Sequence, residues 1–253
     1  MFYKERQQRI LEYIREKPLV SVAELSVVFQ VSAVTIRKDL NELSEEGKIE
    51  RTHGGAVCVE EKNAELPQDP ALRQALEKKK SIARKALKLI SEGDTILLDA
   101  GSTTLELAKM LEEKHMKGVT VITHALQIAN VFNASREYTL IIVGGQYRYR
   151  STTNVGPYAV QMLKNLHADK CFLGINGYTA GAGLTTQSPY EAEMKRMILS
   201  RSRECYLLTD SGKYGTVCMS VVGQVSDLAG VITDDELPEK ARRELMDKGV
   251  RIY

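Results

Sequence analysis

No run of about 18 apolar residues occurs anywhere in the 253 residues, so a membrane-spanning helix is not expected. The opening Met1-Phe-Tyr-Lys-Glu-Arg-Gln-Gln-Arg9 is charged and lacks an apolar segment, which speaks against a secretory leader. Without that route the Asn133-Ala-Ser135 sequon carries no meaning. Cys58, Cys171, Cys205 and Cys218 are scattered, with neither CxxC nor metal-type spacing. They are expected to be reduced and buried or incidental, as in a cytosolic chain. The four histidines form no metal set with them or with each other, and no metal or cofactor is expected. A surplus of one charge is missing too, since a net charge of +2 singles out no class of partner. No internal repeat or low-complexity tract is visible. What remains is a cytoplasmic chain, 43% hydrophobic and longer than one usual domain, so two domains with a sizeable core are expected.

The first 59 residues carry a compact set of helix signals. Ile10, Leu11 and Ile14 lie on a charged first segment. Ser21-Val-Ala-Glu24 reads as a capping box that opens a second helix, with Val22, Leu25 and Phe29 as its apolar stripe. Gln30-Val31 makes a tight turn, and Ser32 caps a third helix on which Ile36, Leu40 and Leu43 share one face. Val34, Arg37, Lys38 and Asn41 then lie away from that face. Gly47 suits the helix end, and Ile49–Arg51 and Ala56–Val59 read as strands of a wing-sized hairpin around His53-Gly54-Gly55. Three helices and a β-wing make a winged helix-turn-helix.

Arg and Lys serve guanine edges or phosphates, Asn pairs with adenine, and a small apolar group meets a thymine methyl. The third helix is therefore either a groove helix or an ordinary solvated face, and its context favours the groove. Arg37, Lys38 and Asn41, with Val34 beside them, are expected to read bases. Ser32 caps the first turn that faces the duplex, and Thr35, Lys48 and Arg51 are expected near the phosphates, with His53 assisting from the wing. Bulk charge adds nothing, because residues 1–60 carry nine bases and ten acids. Modest affinity per module follows, and two or more modules are expected to act together.

Residues 60–70 are polar with two prolines and read as a linker, which leaves 71–253 as a second domain. Ala71 to Ser91 reads as one helix on the spacing of Ile82, Ala86 and Ile90; its Glu77–Lys80 run is a solvated face or touches DNA backbone. Beyond it, strands are expected at Thr95–Leu98, Val119–Ile122, Leu140–Val143, Lys170–Leu173, Cys205–Leu208 and Leu228–Ile232. Helices such as Leu105–Leu111 and Tyr190–Arg201 lie between them. That alternation predicts an α/β domain with a mostly parallel sheet covered on both faces.

Ligands bind outside the carboxyl ends of such strands. Asp99-Ala-Gly-Ser-Thr-Thr104 lies at one end and opens a helix, so Gly101, Ser102, Thr103 and Thr104 are either a plain cap or an anion cradle. His124, Gly145, Asn176 and Lys213 lie at further strand ends and complete the rim of a pocket. His124 either donates to a ligand or packs within its loop. Thr185, Glu191 and Glu193 are expected beside Asn176 as partners for ligand hydroxyls.

The segment Arg9 to Leu40, with Val34-Thr-Ile-Arg-Lys-Asp-Leu40 and Arg51-Thr-His-Gly-Gly-Ala56, resembles the DeoR family of bacterial transcriptional regulators. The resemblance continues through Leu98-Asp-Ala-Gly-Ser-Thr-Thr104, Val143-Gly-Gly145, Gly183-Leu-Thr-Thr186 and Thr209-Asp-Ser-Gly-Lys-Tyr-Gly215. It implies a homo-oligomeric repressor of a sugar catabolic operon that binds double-stranded operator DNA and senses a phosphorylated sugar. Whether dimer or tetramer, and whether the sugar releases or recruits it, stays open. The C-terminal half also resembles the ribose-5-phosphate isomerase fold, which raises an isomerase as the alternative. Isomerisation needs a general base and an acid, and the matching Leu173-Gly-Ile-Asn-Gly177 and Leu184-Thr-Thr-Gln-Ser188 contain neither carboxylate nor lysine. A regulator, not an enzyme, is therefore expected.

Overall fold

The computed structural model describes residues 3–15, 20–45, 49–52, 55–58, 70–149 and 151–253. The chain separates into two compact units, Met1–Pro67 and Gln68–Tyr253. The segment read as a linker, Gly47 and Val59 lie outside the described residues, Pro70 of that segment excepted.

In the first unit the order is α1 (Tyr3–Arg15), β1 (Val20–Ser21), α2 (Val22–Phe29), α3 (Ala33–Glu45), β2 (Ile49–Thr52) and β3 (Gly55–Cys58). Ser21 caps α2 through its hydroxyl, which accepts from Glu24 N at 3.1 Å, while the Glu24 carboxylate accepts from the Tyr13 hydroxyl. Gln30 takes a left-handed conformation (φ 51°) that turns the chain out of α2, and Ser32 then caps α3 by accepting from Thr35 N. Ile10, Ile14, Leu25, Ile36 and Leu40 are fully buried and form the core of the three helices. The wing has one strand more than expected, since β3 pairs antiparallel with both β2 and β1. Gly55 permits that pairing, because a Cβ there would lie 1.9 Å from the Val20 carbonyl oxygen.

The second unit begins with α4 (Pro70–Leu87), β4 (Thr95–Leu98), α5 (Ser102–Lys114), β5 (Thr120–Thr123), α6 (Leu126–Val131) and β6 (Thr139–Ile142). A hairpin, β7 (Gln146–Arg148) and β8 (Thr153–Val155), precedes α7 (Pro157–Leu163), β9 (Ala168–Leu173), β10 (Gly177–Thr179) and β11 (Gly183–Thr186). The chain ends through α8 (Pro189–Ser200), β12 (Ser202–Leu208), β13 (Ser220–Gly223), β14 (Gly230–Ile232), α9 (Glu239–Met246) and β15 (Arg251–Ile252). The helix read to Ser91 stops at Leu87. The chain turns there on bonds from Leu89 N to Ala86 O and from Ile90 N to Leu87 O, yet Ile90 stays buried and so extends the apolar spacing past the helix.

Seven strands form one wholly parallel sheet in the order β15-β14-β12-β9-β4-β5-β6. Alternation along the strands feeds two cores. Ile96 and Leu98 face α4 and α5, while Leu97 faces the layer of α7, α8 and α9. The chain starts at β4, runs outward through β5 and β6, then returns beside β4 as β9 and runs the other way. The crevice between the ends of β4 and β9 is the point at which such folds hold ligands. Two smaller antiparallel groups, β7-β8 and β10-β11-β13, lie outside the expected sheet.

The expectation of four reduced cysteines is corrected. Cys171 and Cys205 are disulfide-bonded, with their Cα atoms 4.7 Å apart. They are 34 residues apart in sequence, but the parallel register of β9 and β12 sets them directly opposite each other. Cys218 is free and half-buried.

Candidate functional site

The α3 helix divides its residues by face. Ile36, Leu40 and Leu43 are buried, whereas Arg37, Lys38 and Asn41 are exposed and Val34 is 72% exposed. Thr35 is half-buried, its hydroxyl 2.9 Å from that of Ser32. Asp39 lies inside the unit and its carboxylate accepts from Nε and Nη2 of Arg6, at 2.6 and 3.0 Å, which staples α1 to α3. This pair explains a charge on the buried side that apolar spacing alone does not anticipate. Arg51 belongs to β2 opposite Ala56; its side chain, like Lys48 and His53, lies outside what is described.

The second site is a cavity of about 420 Å³ at the β4/β9 crevice. Asp99 follows β4 and is fully buried, and its carboxylate gathers three groups from distant parts of the chain. It accepts from Lys195 Nζ of α8 at 2.5 Å and from Gly174 N after β9 at 2.9 Å; His124 Nε2 after β5 lies 3.1 Å away. Burial opposes the Asp99 charge, but the Lys195 ammonium and the His124 ring outweigh it and hold the carboxyl at about 2. Lys195 also donates to the Gly174 carbonyl, so one lysine ties α8 to the ends of β4 and β9.

Nine of the expected residues line this cavity: Asp99, Gly101, Ser102, Thr103, Thr104, His124, Asn176, Glu191 and Lys213. Thr104 turns its hydroxyl back onto the Gly101 carbonyl at 2.8 Å, so of the three hydroxyls that of Ser102, on an exposed residue, is the outermost. His124 is buried, with Nδ1 3.0 Å from the Asn154 carbonyl and Nε2 3.1 Å from Asp99, and it lines the cavity as well. Lys213 is half-buried and 3.8 Å from Asp210. Burial pushes its ammonium down from the usual lysine range; Asp210 opposes this, and Lys195 and Lys79 push the same way.

Three expected residues lie elsewhere. Thr185 is buried in β11, where its hydroxyl donates to Gly177 O and accepts from Cys218 N. Glu193 sits on α8 but is exposed and does not line the cavity. Gly145 has φ 149°, and a Cβ there would lie 2.8 Å from Val155 O and 2.9 Å from Ala159 Cβ, so its place is in packing. Gln127 and Ser151–Thr153 also line the cavity without a signal in the sequence, and Gly174, at the same strand end as Asn176, joins them. The β7-β8 turn delivers Ser151–Thr153; its left-handed Thr152 (φ 51°) is a conformation that no glycine or asparagine announces.

Among the described residues no helix is long and apolar enough to cross a membrane, and no three His, Cys, Asp or Glu side chains are grouped to hold a metal.

Two family models match the chain, the DeoR-like helix-turn-helix domain over residues 6–62 and the DeoR C terminal sensor domain over residues 74–235. The chain is 33% identical to the uncharacterized HTH-type transcriptional regulator YulB of Bacillus subtilis (strain 168), over all of this chain and 96% of that protein. It is 32% identical to the transcriptional repressor AccR of Agrobacterium fabrum (strain C58 / ATCC 33970), over 96% of each. A D-ribose-5-phosphate isomerase solved in complex with phospho-erythronic acid aligns over 55% of this chain and 53% of its own, at 20% identity and a TM-score of 0.41. The curated relatives of this chain are transcriptional regulators rather than enzymes. The chain belongs to the DeoR family of DNA-binding transcriptional regulators, with a helix-turn-helix domain followed by the family's sensor domain.

Proposed function

We propose that this regulator represses a sugar or sugar-derivative catabolic operon and is relieved when a phosphorylated sugar enters the β4/β9 cavity. The observation that carries this reading is the half-buried Lys213 ammonium on the cavity wall. Burial and the neighbouring Lys195 disfavour its charge, and a bound dianion would remove that penalty. Gly101 and Ser102 at the start of α5 add a helix N-terminus to the same cavity. The phosphate seats there and on Lys213, while Asn176 and Glu191 hold hydroxyls.

On DNA, α3 enters the major groove. Arg37, Lys38 and Asn41 read base edges, Val34 meets a thymine methyl, and Ser32, Thr35, Lys48 and Arg51 set register on phosphates with His53 assisting. Paired copies occupy adjacent half-sites, and the effector acts by favouring an arrangement of the paired DNA heads that no longer fits them.

Thermal unfolding of the full chain against phosphorylated sugars and their unphosphorylated parents tests the reading. A specific ligand at about 100 times its dissociation constant adds roughly 2.7 kcal/mol. For a domain of this size that is a rise on the order of 5–10 °C. A rise with one phosphorylated sugar and none with its parent supports the reading; no rise with any of them contradicts it.

A further inference from the structure

Part of the cavity wall is built from residues that hold one another. Asn176, two residues after Gly174, and Glu191, in the first turn of α8, both line the cavity. Between them stands Thr186 at the end of β11. Its hydroxyl lies 2.5 Å from Asn176 Oδ1 and 3.2 Å from Glu191 Oε2, and it has a single proton to give. On the other side of Glu191, Arg148 Nη1 donates to Oε1 at 3.2 Å. Arg148 itself is fixed by the Ser188 hydroxyl at 2.8 Å and by the Tyr190 ring, 6.0 Å below its guanidinium carbon.

The Thr186 proton goes to the nearer Asn176 Oδ1, so Glu191 Oε1 has Arg148 as its partner and keeps a lone pair, while Oε2 is left to accept from a ligand. Asn176 has its carbonyl oxygen engaged, and its amide nitrogen has no protein partner among the described residues. A carboxylate acceptor beside an amide donor complements a hydroxyl, which both gives and takes a hydrogen bond, and a neighbouring hydroxyl can use the second carboxylate oxygen. The same carboxylate repels a phosphate, so a ligand bearing both groups is oriented with its phosphate away from Glu191 and toward Lys213.

We propose that Asn176 and Glu191 form a diol-reading wall, with Arg148 and Thr186 as its positioning residues, so that the effector is selected as a phosphate ester carrying adjacent free hydroxyls. This deepens the proposed function and rests on its reading of Lys213. Arg148 lies on the β7-β8 hairpin and takes no part in the expected site, yet it sets where the Glu191 carboxylate points.

Calorimetric titration of the full chain tests the assignment with three probe sets: inorganic phosphate, a panel of hexose and pentose phosphates, and the same sugars unphosphorylated. In Glu191→Gln and Arg148→Met, affinity for the best-binding sugar phosphate is expected to fall about tenfold or more, the worth of one charge-assisted hydrogen bond. Affinity for inorganic phosphate is expected to stay within about twofold, and Arg148→Lys is expected to recover part of the loss. Equal losses for phosphate and sugar phosphate, or no loss with either, overturn the wall as a hydroxyl reader. If wild type binds inorganic phosphate as tightly as the sugar phosphates, the wall falls while the phosphate reading stands. If wild type binds unphosphorylated sugars as tightly as their phosphates and the Glu191→Gln variant loses them, the wall stands and the phosphate reading falls. If no probe binds, both fall.

Discussion

Asp99 concentrates the chemistry of the sensor cavity in one carboxylate, because three strand ends and one helix converge on it. Replacing it with Asn leaves Lys195 buried and without its counter-charge, and breaking a buried pair in this way costs about 3 kcal/mol or more. Denaturant unfolding of Asp99→Asn should show that loss. Asp99→Asn combined with Lys195→Met should recover part of it, since the two changes are coupled. Acid gives a second prediction at this position. The folded carboxyl sits at about 2 against an ordinary 3.8, so its contribution is present above about pH 4 and is lost as pH falls toward 2. It amounts to about 2 kcal/mol, and wild type should lose that much more stability over this interval than Asp99→Asn. Asp99 was legible in the sequence as a polar residue at a strand end. Its role as the anchor of Lys195 was not, because the two are 96 positions apart and only the fold brings them together. Arg148 escaped notice for the same reason, 43 positions from Glu191 and on a hairpin outside the alternating strand and helix pattern.

At the level of elements, α2, α3 and the β2-β3 pair are readable because local chemistry fixes them: the Ser21 and Ser32 caps and the 3.6-residue apolar period. Arg37→Ala should abolish operator binding while leaving the fold and the effector affinity intact, as read by anisotropy on DNA and calorimetry on the sugar. Retained operator affinity would remove α3 from the groove. Where elements depend on partners, local reading fell short. The α4 helix stops a turn before its apolar spacing does, and the small sheets β7-β8 and β10-β11-β13 have strands of three or four residues, too short for alternation to stand out. Its position after a strand points Gly145 to the ligand rim, but it lies where the β7-β8 hairpin and α7 close on each other. Gly145→Ala should cost about 1–3 kcal/mol in overpacking, beyond the strain of its backbone, and should leave effector affinity unchanged in calorimetry.

For the whole molecule, the sequence pattern identifies two units and a parallel α/β class, but not the order of the strands. Alternating runs of strand and helix state which residues pair with some neighbour and leave open which neighbour; the reversal between β4 and β9 belongs to the assembled sheet. That reversal positions the cavity, and under the proposed function the effector bound there changes the regulator's affinity for DNA. Binding can shift affinity for the operator only by as much as the effector discriminates between the two arrangements of the protein, and the coupling is reciprocal. The most direct measurement is therefore the dissociation constant of the full chain for a DNA fragment from upstream of its own operon. It is read by fluorescence anisotropy with and without the sugar phosphate that gives the largest thermal shift, or a saturating sugar-phosphate panel should none give one. The account predicts that the phosphorylated sugar weakens DNA binding about tenfold or more and that its unphosphorylated parent leaves it unchanged. Unaltered DNA binding in the presence of saturating sugar phosphate, or equal weakening by the parent sugar, would contradict it.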